Sequence, residues 1–235
     1  MNIVLPNHLG IIIDGNRRWA RARGLPPWEG HKAGAEKLNE FLNWCLEMGI
    51  PQVSIYTLST ENLNRSKEEL KHLFKILEEY VDGLLKDKKK FALLEKYEVR
   101  VRFVGELNRL PKKLIKLMGK LMEKTAKYQK RVLNFLVAYG GKSEIVNAVK
   151  KLAEEVIKHG RIEITEKDIE KHLYVPQPLD LVIRTGGYQR LSNFLLWQAS
   201  YAEIYVTKTL WPDFSKKEFM KALRWFSQQK RNFGK

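Results

Sequence analysis

The chain has 235 residues, 44% of them apolar, and carries 43 Lys and Arg against 27 Asp and Glu, a formal surplus of +16. That length supports a full hydrophobic core in one large domain or two small ones, and since no repeat, Ser/Gly linker or low-complexity tract divides the chain a single domain over residues 1–235 is expected, while a lone cysteine, Cys45, excludes a disulfide-stapled secreted scaffold and a Cys-based zinc site. No apolar run approaches the roughly 18 residues of a membrane span, and residues 1–14 lack the basic start and apolar stretch of a signal peptide, so a cytoplasmic location is expected. The surplus charge favours an anionic partner: nucleic acid, lipid headgroups or phosphorylated small molecules.

Short apolar runs alternate with longer segments of helical period, the pattern of an α/β fold with a mainly parallel six-stranded sheet flanked by helices. In chain order the pattern predicts a strand at 9–13, a helix at 31–47, a strand at 53–58 and a long helix from Ser66 to Leu85. In that helix Leu70, Leu73, Phe74, Leu77, Tyr80, Val81 and Leu84 recur at spacings of three and four, and Ser66 with Glu69 reads as a capping box. A strand at 99–104, a helix at 112–128, a strand at 132–138 and a helix at 143–158 follow. Thr165 with Asp168 opens a shorter helix, then come strands at 179–183 and 203–206 and a helix at 215–228. Several of these strands are nearly continuous in Val, Ile and Leu, as expected when both faces are buried.

Two familiar phosphate-binding patterns are absent. Gly140-Gly141-Lys142-Ser143 lies between a strand and a helix, but a P-loop requires glycine where the chain has Leu136, so the stretch reads as a turn with Ser143 as N-cap. No G-x-G-x-x-G occurs. The five histidines, His8, His31, His72, His159 and His172, have no metal-ligand spacing, and most are expected at the surface.

Three polar clusters follow apolar strands. The first, LGIIIDGNRRWARARG at 9–24, delivers Asp14, Gly15 and Asn16 and then Arg17 and Arg18. In an open α/β sheet, ligands sit beyond the carboxyl ends of the strands. There Asp14 suits Mg²⁺, Gly15 permits close backbone approach, and Asn16 and the arginines suit phosphate oxygens. The segment also reads as an Asp-Gly turn with solvated arginines. The second cluster, residues 56–65, gathers short polar side chains and equally fits a helix-entry loop rich in capping residues. The third, residues 183–194, sets Arg184 and Arg190 around a double glycine, with Glu203 shortly after as either a metal ligand or an edge residue. Together the clusters point to two phosphorylated ligands with Mg²⁺ between them.

The series DGNRRWA at 14–20, GHKAG at 30–34, YTLSTENLNRS at 56–66, AYGGKSEI at 138–145, IRTGG at 183–187 and RLSNFLLWQ with SYAE between 190 and 203 resembles, over nearly the whole chain, the cis-prenyltransferases of the undecaprenyl diphosphate synthase family, its archaeal members most closely. That family adds isopentenyl diphosphate to an allylic diphosphate, farnesyl or geranylgeranyl, with Mg²⁺, and makes the long polyprenyl diphosphates that become glycosyl carrier lipids. The resemblance implies that Asp14 is the essential carboxylate on Mg²⁺, with Gly15, Asn16, Arg17 and Arg18 cradling the allylic diphosphate and Trp19 and His31 beside it. Ser59, Thr60, Glu61, Leu63 and Arg65 match further substrate contacts. Arg184, Arg190, Leu191 and Ser192 match the isopentenyl diphosphate clamp, and Glu203 matches a second metal ligand. The family's proton acceptor falls on Asn62; an amide is a poor base, so Asn62 reads as a positioning or relay group, with a diphosphate oxygen or water taking the proton. A hydrophobic tunnel for the growing chain is implied along the helix from Ser66, where the apolar stripe by itself equally fits ordinary core. A homodimer is implied as well, with the basic tail at 231–234 bordering the partner's site, and so is transient attachment to a membrane surface.

Three positions depart from the family pattern: Pro27 for an arginine on the allylic diphosphate, Leu63 for an aromatic, and Tyr188 for a glutamate near the metal. A non-catalytic partner subunit of the same fold would lose the first motif, whereas Asp14, Asn16 and Arg18 are retained. A nucleic-acid binder is disfavoured because the aromatics do not interleave with a basic stripe and no nucleic-acid motif occurs.

Overall fold

The alternating pattern resolves, in a computed structural model that describes residues 3–160 and 163–230, into one six-stranded sheet with helices on both faces. The basic tail at 231–234 lies outside the described residues. The strands are β1 (His8–Ile12), β2 (Gln52–Ser59), β3 (Val99–Val104), β4 (Arg131–Tyr139), β5 (Leu181–Arg184) and β6 (Glu203–Val206). The helices are α1 (Asn16–Arg21), α2 (Pro27–Met48), α3 (Lys67–Lys86), α4 (Lys88–Lys96), α5 (Lys112–Thr125), α6 (Gly141–His159), α7 (Glu166–His172) and α8 (Lys216–Ser227).

The order across the sheet is β3-β4-β2-β1-β5-β6 and every neighbouring pair is parallel. Parallel strands require crossovers, which the helices supply, and both faces are therefore covered. All five residues of β1 and all four of β5 are buried, in keeping with the apolar runs that follow His8 and precede Arg184. The chain builds outward from β1 toward β3 on one side and toward β6 on the other, so strand order switches at β1. The crevice for a ligand opens there, beyond the carboxyl ends of β1, β2 and β5.

The larger core packs Ile11, Ile55 and Val137 against Phe41 of α2, Leu73 and Val81 of α3, Met118 of α5 and Phe219 of α8. The smaller, on the other face, gathers Tyr56, Tyr139, Val182, Phe194 and Leu195. Within the second face Glu144 of α6 is buried. It accepts hydrogen bonds from Tyr139, from Gln198 and from the backbone N–H groups of Tyr174 and Val175, and so ties the turn after β4 to the loop ahead of β5.

Several boundaries differ from expectation for local reasons. Pro27 occupies the first turn of α2, where a missing N–H costs nothing, so that helix begins four residues before His31. The helices α1 and α4 are too short for a periodic signal. Gly140 caps α6, and Ser143, expected as N-cap, lies inside the helix with its hydroxyl donating to Gly140 O at 2.9 Å. The helix α5 ends at Thr125, whose buried hydroxyl donates to Leu121 O and accepts from Val101 N of β3.

The expectation of surface histidines fails at His8 and His31. His8 is 2% exposed, with Nδ1 2.9 Å from the Pro178 carbonyl and Nε2 2.7 Å from Ser54 Oγ. A carbonyl only accepts, so Nδ1 carries the proton and Nε2 accepts from Ser54, which in turn accepts from Asn134 Nδ2 at 3.0 Å. Burial lowers the His8 pKa from 6.5 to about 4, and burial with the neighbouring Arg65 cation does the same to His31. Unfolded imidazoles protonate near 6.5 and these folded ones resist until about 4. Their stabilisation is therefore complete above 6.5 and is lost as pH falls toward 4. Denaturant midpoints should fall between pH 6.5 and 5, each histidine contributing up to about 1.4 kcal/mol per pH unit. His8→Gln should flatten that slope; an unchanged slope would refute the assignment.

Candidate active site

The first cluster is fixed where β1 leaves the sheet. Asp14 N–H donates to Thr185 Oγ1 at 2.9 Å and the Thr185 hydroxyl donates to Asp14 O at 2.7 Å, so the residue after β5 pins the second residue after β1. Gly15 has φ +113°, and a Cβ there would sit 2.9 Å from the Leu210 backbone; only glycine fits on both counts. The two glycines of GHKAG have a packing role. A Cβ at Gly30 would overlap the Asn16 carbonyl oxygen and one at Gly34 would lie 2.5 Å from Asn16 Oδ1. Their absence lets α2 cross directly against the start of α1 and brings His31 to the site.

Two carboxylates organise the arginines. Asp14 accepts from Arg184 Nη2 at 3.0 Å and from Arg18 Nη2 at 3.4 Å, and its side chain remains 28% exposed. Arg184 also donates to Ser192 Oγ at 2.8 Å and to the Arg190 carbonyl. Glu69 Oε1 lies 3.1 Å from Arg65 Nη1, 3.5 Å from Arg17 Nε and 3.5 Å from His31 Nε2. The capping box expected at Ser66 is thus only half formed: Ser66 Oγ accepts from Glu69 N, while the Glu69 carboxylate turns to the arginines. His31, held neutral by its lowered pKa, adds no charge to this group. Across the site the Tyr188 ring lies 4.3 Å from the Arg190 guanidinium, 4.7 Å from that of Arg18 and 5.8 Å from that of Arg184.

The second cluster closes the other wall. The β2–β4 register slips between Tyr56, Leu58 and Ser59, and such slips re-aim side chains at a strand end. Asn62 N donates to Ser59 Oγ at 3.2 Å and Asn62 Oδ1 accepts from Ser59 N at 3.3 Å, so the Asn62 amide presents its N–H groups rather than its oxygen. Asn193 links the second and third clusters, its Nδ2 donating to Glu61 at 2.9 Å and its Oδ1 accepting from Lys142 N at 2.9 Å. Partial burial alone would raise the Glu61 pKa. Hydrogen bonds from its own backbone, Asn193, Ser59 and Thr60 outweigh that and hold it below the usual carboxylate range.

These walls enclose a cavity of about 830 Å³. Of the residues expected from sequence, Asp14, Gly15, Asn16, Arg17, Arg18, His31, Ser59, Glu61, Asn62, Arg65, Arg184 and Ser192 line it. Others do not. Trp19 donates through Nε1 to Asp213 at 2.7 Å, Thr60 uses its N–H on Tyr139 O, and Leu63 packs with the main core. Leu191 packs beside the second core, and Arg190 reaches the site through Tyr188. Glu203 is a correction. It starts β6 in register with Leu181, which pairs with Leu9, five residues before Asp14, and so lies about 16 Å back along the strand direction. The two carboxylates expected to share a metal are at opposite ends of the sheet within one chain, because the spacing of a motif along the sequence carries no strand register.

Sequence reasoning missed Glu69, Arg21, Tyr56, Lys142 and Asn193, and treated Tyr188 only as a departure. Glu69 had a signal, since it lies four residues after Arg65, which precedes the Ser66 cap of α3, near enough along the chain for the two side chains to meet. From the cavity a narrow apolar passage continues between α2, α3 and the sheet, bounded by Leu38, Leu73, Leu77, Tyr80, Phe103 and Phe135, with Asn16, His31 and Thr57 in both walls.

A divalent ion fits here through Asp14. Among the described residues no three His, Cys, Asp or Glu side chains cluster as a metal cage, so most ligands would be substrate oxygens and water, the arrangement Mg²⁺ favours.

Comparison with known proteins agrees with this geometry. The family described as putative undecaprenyl diphosphate synthase matches residues 12–234. A tritrans,polycis-undecaprenyl-diphosphate synthase (geranylgeranyl-diphosphate specific) of Methanopyrus kandleri is 46% identical, covering 98% of this chain and 85% of that one. An isoprenyl transferase of Aquifex pyrophilus is 45% identical, over 100% of this chain and 98% of the other. The crystal structure of lavandulyl diphosphate synthase from Lavandula x intermedia in complex with dimethylallyl diphosphate superposes with a TM-score of 0.87 at 34% identity, covering 98% and 99% of the two chains. A match over nearly the whole length, on a parallel sheet whose switch point gathers these arginines, places the chain in the undecaprenyl diphosphate synthase family of prenyltransferases.

Proposed function

We propose that this chain is a Mg²⁺-dependent cis-prenyltransferase that condenses isopentenyl diphosphate units onto geranylgeranyl diphosphate and releases a long polyprenyl diphosphate, a precursor of glycosyl carrier lipid. The observation that carries this reading is one cavity in which two arginine groups meet across Asp14 at the mouth of an apolar passage. The starter follows the geranylgeranyl diphosphate specificity named for the archaeal relatives.

Arg17, Arg18 and Arg65, with Asn16 and neutral His31, form the allylic diphosphate subsite, and Arg21 on the cavity wall stands in for the arginine that Pro27 replaces. Arg184, Arg190 and Ser192 hold isopentenyl diphosphate. Breaking the allylic C–O bond builds negative charge on the leaving diphosphate, which guanidinium donors stabilise more than they stabilise the ground state. Mg²⁺ on Asp14 would add positive charge for the diphosphates. The proton lost on double-bond formation passes to diphosphate oxygen or water, with the Asn62 amide as a positioning donor. The new hydrocarbon enters the passage along α3. A homodimer and transient attachment to a membrane surface belong to the same reading. No helix among the described residues is long and apolar enough to cross a membrane.

The direct test is incorporation of labelled isopentenyl diphosphate with geranylgeranyl or farnesyl diphosphate, with Mg²⁺ or EDTA, resolving products by length. Long products formed from geranylgeranyl diphosphate and abolished by EDTA are expected; no incorporation by folded protein would overturn the reading. Asp14→Ala should lower turnover by roughly two orders of magnitude or more with the fold retained, since it removes the metal ligand and unpairs Arg184, and near-normal activity would refute its role.

Tyr188 holds three guanidinium groups by its ring face, which attracts cations without occupying their N–H donors. A carboxylate in its place would compete with the diphosphates for those donors. Tyr188→Ala should raise KM for isopentenyl diphosphate about five-fold, the effect of a cation–π contact of roughly 1 kcal/mol, with little change in kcat, while Tyr188→Phe keeps the wild-type KM. A loss in kcat alone would count against this role.

A further inference from the structure

The positive surplus is not concentrated at the diphosphate cavity. Between residues 86 and 130 there are fifteen Lys and Arg against five Asp and Glu, so ten of the sixteen surplus charges fall in about a fifth of the chain. The fold collects them at one edge, because β3 is the outermost strand on the side away from β5 and β6, α5 packs on β3 and α3, and α4 packs on α3. Along α5, Lys112, Lys116, Lys120 and Lys124 recur every four residues, all exposed, opposite a buried face of Leu114, Met118 and Leu121. Lys88, Lys89 and Lys90 open α4, capped by Asp87, and the Lys124 ammonium lies 5.5 Å from the Phe91 ring, joining the two helices into one surface.

Three features distinguish this surface from a solvated, salt-bridged helix face. Ion pairing there takes in Lys86, Arg109 and Lys113. Among the described residues Lys88, Lys89, Lys90, Lys112, Lys116, Lys120, Lys124 and Lys127 have no carboxylate within ion-pair distance. None of these lysines lines the cavity, so substrate binding does not account for them. Beside them Leu93 is a large apolar side chain left 38% exposed on α4, next to half-buried Phe91.

Position indicates the partner. The apolar passage is walled by α3 from Leu73 to Val81, leading away from Glu69 and the cavity toward the carboxyl end of that helix, and α4 begins two residues after α3 ends. The deep end of the passage and the lysine surface therefore share the same half of α3. We propose that the α4–α5 edge is the surface by which this protein docks on an anionic lipid bilayer, lysines over the headgroups and Phe91 and Leu93 at the interface, so that the end of the passage holding the hydrocarbon faces the membrane. This rests on the prenyltransferase reading for the identity of the hydrocarbon, not for the charge. Lysines near an anionic leaflet add attraction residue by residue, and exposed apolar side chains anchor them at the interface. A nucleic-acid duplex is less well matched, because twelve of the fifteen cations are lysines, which lack the planar fork of arginine, and no exposed aromatic pair offers a stacking platform.

The test is co-sedimentation of the full chain with phosphatidylcholine vesicles with and without phosphatidylglycerol, at low and high salt. Binding that requires phosphatidylglycerol and is lost at high salt is expected. Lys112→Glu/Lys116→Glu/Lys120→Glu, and separately Lys88→Glu/Lys89→Glu, should each lower partitioning about ten-fold or more. Isopentenyl diphosphate incorporation in detergent should stay within about two-fold of wild type, which reports on folding and on the catalytic reading independently. Equal binding to neutral vesicles, undiminished binding by both variants, or tight binding to random duplex DNA with none to vesicles would overturn the proposal.

Discussion

A site for two diphosphates has to bring several guanidinium groups within a few ångströms of one another and keep them there before any anion arrives. Like charges at that spacing repel, and the cost rises as water is excluded. The fold depends on three counter-groups that meet this constraint in different ways. Asp14 bridges Arg18 and Arg184, Glu69 gathers Arg17 and Arg65 around neutral His31, and the Tyr188 face sits among Arg18, Arg184 and Arg190. Asp14 and Tyr188 join the two arginine groups, since each touches both Arg18 and Arg184, and Asp14 alone of the two does so with opposite charge. Asp14 is also half-buried and open to the cavity.

Holding that carboxylate in place is a matter of backbone, which explains why so much of the motif is glycine and threonine rather than charge. Thr185 grips Asp14 from both sides of its peptide, and Gly15 turns the chain against Leu210. Gly30 and Gly34 let α2 close on Asn16, and Gly186 leaves room for the Arg18 guanidinium. A methyl group at these glycines would press on Leu210, on Asn16 or, at Gly186, on the Arg18 guanidinium, and so disturb the seating of the site. Rigid seating of this kind is what allows donors to be aimed at a developing charge without reorganisation when it appears.

The fold was legible because both-face burial leaves an unmistakable mark: β1 after His8 and β5 before Arg184 are apolar runs, and α3 carries a clean helical stripe. The polar clusters were legible because parallel strands deliver their carboxyl ends to one side of the sheet, so residues far apart in sequence converge. Register was not legible. Glu203 lies in a short segment that looks adjacent to Arg190 and Ser192, yet the intervening turns carry the chain back to the amino end of the sheet before β6 begins. Glu69 was misread for a related reason: Ser-x-x-Glu before an apolar run signals a helix cap, and beyond Arg65 four residues back nothing local reveals that Arg17 and His31, from other elements, also meet its carboxylate. Local rules describe what a side chain can do within its own element, and the tertiary field decides which option is taken.

The overall charge divides along the same line. A net surplus read from composition carries no address, and a single chemical purpose, the binding of diphosphates, is sufficient for it until the residues are placed in the fold. Cations at the switch point are matched by Asp14 and Glu69 and aimed inward, as a site that must discriminate between charge states requires. Cations along α4 and α5 are chiefly lysines, exposed and little matched by carboxylates, as suits a surface that meets a diffuse field rather than a defined ligand. The apolar passage joins these two regions through α3, whose amino end supplies Glu69 to the arginines and whose carboxyl end leads directly into the lysines of α4. One helix thus spans both electrostatic regimes, with the apolar passage running along it from one to the other.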